Sequence, residues 1–358
     1  MPSPQRPTRV LIVDDSAIVR KMLSDALRLE PDIEVVGVAA DPFVARELIL
    51  ARDPDVLTLD LEMPRMDGLT FLRKLMVHHP LPVIIVSSVT QAGSRATVEA
   101  LAAGAVDVIA KPGGPQSVKD IAERLKRRIR AIRIAAPLRF DAMRAVAEPG
   151  APRATPTLAQ ADGLVLIGAS AGGPQAIEAV VTRLPADCPP ILVVQHMPPP
   201  FTRAFAARLD AEAAMTVVEA QDGERLERGT AYVAPGDFHL VVRPMGSLLR
   251  TGLEHGAAVH YQRPAVDTLF YSAARLRAVR IVALLLTGMG SDGADGMLAL
   301  RKAGATTIVQ DEQSCVVFGM PAEAIARGAA THVAPLLRMP QLIANALLGY
   351  QAGDRRAS

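Results

Sequence analysis

Val10-Leu11-Ile12-Val13-Asp14-Asp15 is a short, unbroken apolar run that ends on two carboxylates. A run of that length without alternation fits a strand buried on both faces, as in a parallel sheet. The pattern recurs at Ile33 to Ala39, Val56 to Leu59, Val83 to Val86 and Val106 to Ala110, with helical spacing between, as in Ala17 to Leu29 and Leu69 to Val77. Five strands alternating with helices predict a doubly wound α/β domain, in which ligands bind at the carboxyl ends of the strands. Those ends carry Asp14-Asp15, Asp60, Ser87 and Lys111-Pro112. Converging carboxylates repel unless a cation joins them, and oxygen-only ligands suit Mg²⁺. An aspartate there can act as nucleophile and carry an acyl phosphate. Lys111 and Ser87 would then grip the phosphoryl oxygens.

The chain has 358 residues, which on a prior of about 150 residues per domain favours two domains. Eight Phe, four Tyr and no Trp leave aliphatic cores and no stacking platform for single-stranded nucleic acid. With 39 Lys and Arg against 37 Asp and Glu, the balance of +2 points to no polyanion partner. Cys188 and Cys315 lie far apart without metal-ligand spacing, which fits a reducing compartment. The N-terminus reaches Asp14 too soon for a signal peptide. No run of about 18 apolar residues occurs, so no membrane insertion is expected and the protein reads as cytoplasmic. The segment Ser117 to Ile134 carries Lys119, Arg124, Lys126, Arg127, Arg128, Arg130 and Arg133, which reads as a solvated cationic face or a docking face. Prolines at 137, 149, 152 and 156 then mark residues 135–162 as an interdomain linker.

A second α/β pattern begins at Leu164-Val165-Leu166-Ile167. Further candidate strands are Ile191 to Val194, Ala231 to Val233, His239 to Val242, Ile281 to Leu286 and Thr306 to Val309. Helices are expected to begin near Pro174, Pro200, Val266 and Ala294. The strands flanking Pro235-Gly236-Asp237 read as a hairpin, which makes this domain mixed, with a mainly parallel sheet.

Gly168-Ala169-Ser170-Ala171-Gly172-Gly173 joins the first of these strands to a helix, and its small residues allow a tight turn that exposes the Ser170 hydroxyl. His196, at the end of the next strand, is the best placed base, with His239 as rival. Asp292, in the loop Thr287-Gly288-Met289-Gly290-Ser291-Asp292-Gly293, is the best placed carboxylate to orient it, with Asp267 and Asp295 as alternatives. The Gly-rich backbone there offers N–H groups for an oxyanion. Two other readings share these residues. Gly288-x-Gly290-x-x-Gly293 with Asp311 has the form of a dinucleotide fingerprint, although it lies near the end of its domain. Gly168-x-Ser170-x-Gly172 also matches the α/β-hydrolase elbow, but that fold runs Ser, Asp, His and would need His332 as base. A module that only binds, with a vestigial serine site, is a third possibility.

Residues 9–130 resemble a two-component receiver domain through Asp14-Asp15, the segment Leu57 to Gly68 around Asp60, Ser87 and Lys111-Pro112. Gly-Ala-Ser-Ala-Gly-Gly, Gln195-His196-Met197-Pro198, Ala234 to His239, Arg263 to Asp267 and Leu286 to Gly293 look like the C-terminal domain of the CheB family. Together the resemblance spans about residues 9–348. It implies a flavodoxin-like receiver at 1–134 and a methylesterase domain at 163–350. It implies phosphorylation of Asp60 by a histidine kinase, with Mg²⁺ held by Asp15, Asp60 and the main-chain carbonyl of Glu62, and Asp14 in support. Ser87 and Lys111 would sense the phosphoryl group. In the second domain it implies a cofactor-free Ser170–His196–Asp292 triad with the Met289 backbone at the oxyanion. The implied activity is hydrolysis of glutamate γ-methyl esters on chemoreceptors, releasing methanol, and deamidation of receptor glutamines, in chemotaxis adaptation. The aromatic tail that tethers some members to receptors has no counterpart in Gln351 to Ser358.

Overall fold

Parallel strands need crossovers long enough to cover a sheet face, and helices supply them. In the computed structural model this gives two compact units, Met1–Phe140 and Asp141–Ser358. The structure describes residues 6–88, 90–111, 117–135, 157–199 and 201–349. Most of the expected linker, Pro112 and the 351–358 tail therefore lie outside the described residues.

The first unit runs β1 (Thr8–Val13), α1 (Ala17–Arg28), β2 (Ile33–Ala39), α2 (Pro42–Arg52), β3 (Val56–Leu59), α3 (Gly68–His78), β4 (Val83–Ser87), α4 (Gln91–Ala102), β5 (Asp107–Ala110) and α5 (Ser117–Ala135). Its sheet has the order β2-β1-β3-β4-β5, all parallel. That order is the flavodoxin-like doubly wound arrangement. Polar residues stop the strands and start the helices: Ser16 caps Val19 N–H, Asp41 caps Phe43 and Val44 N–H, and Asp67 caps Thr70 N–H. Three of the cations expected on α5 are bound internally. Lys126 pairs with Glu30 at 2.8 Å, Arg128 with Asp107 at 2.9 Å, and Arg130 with Asp32 at 2.7 Å.

The second unit contains β6 (Leu164–Ala169), α6 (Gly173–Val181), β7 (Ile191–Gln195), α7 (Phe201–Glu212), β8 (Thr216–Glu219), β9 (Thr230–Val233), β10 (His239–Met245) and β11 (Leu248–Glu254). It continues through α8 (Val266–Ala274), β12 (Ile281–Leu285), α9 (Ala294–Lys302), β13 (Thr306–Gln310), α10 (Met320–Ala326), β14 (His332–Ala334), a 3₁₀ turn (Leu336–Arg338) and α11 (Met339–Leu348). Seven strands form a parallel sheet in the order β14-β13-β12-β6-β7-β9-β8. Leu166, Leu192, Val266, Phe270, Leu285 and Met297 lie in the core on one side of it.

The expected hairpin around Pro235-Gly236-Asp237 does not form. β9 pairs in parallel with β7 and β8, whereas β10 pairs antiparallel with β11 in a separate two-stranded ribbon. The 234–238 segment is the passage between the two sheets, and the ribbon turns at Gly246, where φ is +61°. Residues 157–162, read above as linker, pack on this unit. Leu158 and Ala161 are buried, and the Arg228 guanidinium donates to their carbonyls at 2.9 and 2.6 Å. Among the described residues no helix is long and apolar enough to cross a membrane.

Candidate functional sites

In the first unit the strand order puts the ends of β1, β3, β4 and β5 side by side. Asp14 and Asp15 follow β1, Asp60 follows β3, Ser87 closes β4 and Lys111 follows β5. The structure brings them together. Lys111 Nζ lies 3.0 Å from Asp14 Oδ2 and 2.7 Å from Asp60 Oδ2. Asp14 Oδ1 accepts the Ser16 N–H, and Asp60 Oδ1 accepts the Glu62 N–H at 3.2 Å. Ser87 is bonded through its backbone, its carbonyl accepting the Lys111 N–H at 2.7 Å, while its buried Oγ has no hydrogen-bond partner.

Burial pushes the Asp60 carboxyl up to about 6 against the pull of Lys111, and burial likewise raises Asp14. One oxygen from each of Asp14, Asp15 and Asp60 lies within 4.8 Å of the others. One lysine cannot neutralise three carboxylates, so the donor set fits a hard divalent cation such as Mg²⁺.

In the second unit Ala169 of β6 sits in register with Gln195 of β7, so Ser170 and His196 follow at neighbouring strand ends. The His196 N–H donates to the Ala169 carbonyl at 3.1 Å, and Gln195 Nε2 donates to the Ser170 carbonyl at 2.9 Å. Gly172 adopts φ +72° against Val316, a left-handed turn that only glycine makes without strain. β12 lies on the other side of β6, and its following loop bonds the serine turn, Ser170 N–H to Thr287 O at 3.0 Å. The Thr287 hydroxyl donates to the Ala171 carbonyl at 2.9 Å and accepts the Val317 N–H at 2.9 Å. Sequence reasoning missed Thr287 and Gln195 as supports, although both stand in the quoted motifs.

Asp292 reaches His196, with Oδ2 2.7 Å from Nε2, and all of Ser170, His196 and Asp292 are buried, so the tight turn, contrary to the expectation from its small residues, does not expose Ser170. Its Oδ2 also accepts the Val266 N–H at 2.8 Å and its Oδ1 the Asp267 N–H at 2.9 Å, both from the first turn of α8. Burial raises the Asp292 carboxyl, but His196 and these two N–H groups outweigh it and hold it below the usual carboxylate range. The carboxylate therefore fixes the tautomer: Nε2 carries the proton, and Nδ1 is the basic nitrogen. That Nδ1 is buried and has no hydrogen-bond partner. The Gly288 carbonyl accepts the N–H groups of Gly319 and Met320 at 3.0 and 2.8 Å. In a trans peptide the Met289 N–H therefore points away from α10.

The alternatives fall elsewhere. His239 accepts the Ala265 N–H at Nδ1 and faces the Ala257 carbonyl at Nε2, so both nitrogens are used structurally. His332 lies on β14, the outermost strand, three places from β6. Asp311 accepts the backbone and hydroxyl of Ser314 in a local turn. Asp295 pairs with Arg327 at 3.1 Å, and Asp267 faces His260.

Comparison with known proteins agrees with this division. Residues 165–343 match the family described as CheB methylesterase, and residues 10–123 match the response regulator receiver domain. The protein-glutamate methylesterase/protein-glutamine glutaminase 2 of Syntrophus aciditrophicus is 50% identical over 329 residues, 92% of this chain and 96% of that one. A counterpart in Cupriavidus metallidurans is 47% identical over 350 residues, 97% of this chain and 98% of that one. The crystal structure of the Thermotoga maritima CheB methylesterase catalytic domain is similar with a TM-score of 0.50 and 40% identity, covering 51% of this chain and 98% of its own.

Proposed function

The chain belongs to the CheB methylesterase family and is a protein-glutamate methylesterase/protein-glutamine glutaminase with a receiver domain, and we propose that it works by a Ser170–His196–Asp292 triad under control of phosphorylation at Asp60. The observation that carries the triad is the 2.7 Å contact between His196 Nε2 and Asp292 Oδ2, which leaves Nδ1 as the imidazole's basic nitrogen at the strand end beside Ser170. This orientation is opposite to that of the serine-protease triad, where Nδ1 faces the carboxylate.

The substrate is a glutamate γ-methyl ester on the cytoplasmic part of a chemoreceptor. His196 Nδ1 takes the Ser170 proton as Oγ attacks the ester carbonyl. Asp292 stabilises the imidazolium that forms. The Met289 N–H donates to the oxyanion. The imidazolium then gives its proton to the methoxy oxygen and methanol leaves. Water, deprotonated by His196, cleaves the acyl-enzyme and restores glutamate. With a receptor glutamine, the same steps release ammonia. The catalytic domain needs no cofactor for this chemistry.

In the receiver, Asp60 takes the phosphoryl group from a histidine kinase. Mg²⁺ would be held by Asp15, Asp60 and the Glu62 carbonyl, with Asp14 in support, and when bound it neutralises phosphoryl charge. The Lys111 ammonium and the Ser87 hydroxyl, which has no hydrogen-bond partner, would hold the phosphoryl oxygens. The protein then acts in the cytoplasm, in chemotaxis adaptation.

The test is methanol release from methylated chemoreceptor. Ser170→Ala and His196→Ala should each lower the rate by at least about 10³-fold. Full turnover by Ser170→Ala would remove the serine from the chemistry.

A further inference from the structure

Beside the triad lies a second histidine–carboxylate pair that the mechanism above does not use. His260 Nε2 is 3.0 Å from Asp267 Oδ2, and Asp267 is buried. The other oxygen of Asp267 accepts the Gly296 N–H at 2.7 Å, in the first turn of α9. Asp292, just before α9, accepts the Val266 and Asp267 N–H groups of α8. Two N–H groups in the first turn of α8 and one in the first turn of α9 are thus satisfied by a carboxylate from the other helix's N-terminal end. The exchange fixes the loop carrying Asp292 against α8. The two carboxylates also approach closely, since His260, Asp267 and Asp292 each place a ligand-type atom within 4.8 Å of the others. Asp292 has His196 and two N–H groups to compensate it, whereas Asp267 has Gly296 N–H and His260.

The turn that delivers His260 is built against ordinary backbone preference. Val259 and Gln262 exchange both N–H···O bonds, at 3.0 and 2.8 Å. The residues between them, His260 and Tyr261, have φ of +49° and +62°. Asn and Gly usually fill such a two-residue turn. The side chain at the second position, Tyr261, is 81% exposed. The side chain at the first reaches the buried carboxylate.

We propose that His260 is a positioning residue of the esterase site: by holding Asp267 Oδ2 it keeps Asp267 on the Gly296 N–H, and so keeps Asp292 aimed at His196 Nε2. The inference rests on the Ser170–His196–Asp292 reading. Its expected signature is a loss in kcat with little change in KM, because the pair acts through the orientation of Asp292.

The test compares two variants in the full-length protein, with methylated chemoreceptor as substrate. His260→Asn favours the left-handed turn at least as well as histidine but is too short to reach Asp267. His260→Gln retains an N–H donor at nearly the same reach. His260→Asn should lower kcat about ten-fold with KM changed less than about two-fold, and His260→Gln should recover most of the loss. The inference is overturned if His260→Asn turns over like the parent while Ser170→Ala and His196→Ala are inactive, or if Asn and Gln lower kcat equally. If Ser170→Ala itself keeps full turnover, the triad reading falls, and this inference with it.

Discussion

Asp292 is the residue on which most of the esterase geometry converges. Its two oxygens accept one imidazole and two backbone N–H groups, so an amide cannot replace it without turning an NH₂ toward a donor. Asp292→Asn should therefore lower kcat by on the order of 10³–10⁴-fold through the wrong His196 tautomer. It should also lower stability by about 1–3 kcal/mol through a buried donor left unpaired, measurable by urea unfolding. The pH dependence has a definite sign. A carboxyl held below its ordinary value in the folded protein contributes stability above the ordinary carboxylate range, near pH 4, and loses it as pH falls through the lower folded value. The parent should thus lose more stability than Asp292→Asn between pH 5 and pH 3, as read from urea midpoints. His196 was legible in the sequence because it stands directly after an apolar strand run, and Asp292 because it lies in the Gly-rich loop that follows another. The His260–Asp267 pair was not, because its turn uses His-Tyr where Asn-Gly would have announced it.

At the scale of elements, the serine turn and the β12 loop are fitted so closely that side chains are excluded. A Cβ on Gly288 would lie 2.3 Å from Met320 Sδ and 2.8 Å from Ser170 Cβ. Gly288→Ala should push the serine turn off its position, with at least about 10²-fold lower kcat and a stability loss of about 1–3 kcal/mol. Steady-state kinetics paired with thermal unfolding would show it. The buried parallel strands were readable as continuous apolar runs, and their starts and ends agree within a few residues. The hairpin was misread for a physical reason. Pro235-Gly236-Asp237 has turn chemistry, but turn chemistry does not say whether the next strand returns to the same sheet or enters another. β8, Thr-Val-Val-Glu at the sheet edge, and β14, three residues long, carry too little hydrophobic signal to be seen.

At the scale of the whole molecule, the receiver's acidic site is costly to the fold until its charge is matched. Burial lifts Asp60 to about 6, so deprotonation between the ordinary carboxylate value and pH 6 removes stability instead of adding it. Without divalent cation, Asp60→Asn should stabilise the receiver at pH 8 by on the order of 1–3 kcal/mol and much less at pH 4, as read from hydrogen exchange of β1 and β3 amides. Mg²⁺ at pH 8 should stabilise the parent more than this variant. The central claim joins the two units: phosphorylation at Asp60 raises turnover at Ser170. The most direct measurement is the rate of methanol release from methylated chemoreceptor, with Mg²⁺ and with or without a small phosphodonor, for the parent and Asp60→Asn. The account predicts a rate that rises with phosphodonor in the parent and stays flat in Asp60→Asn. A parent rate that ignores the phosphodonor, or an Asp60→Asn rate that rises with it, would contradict the claim.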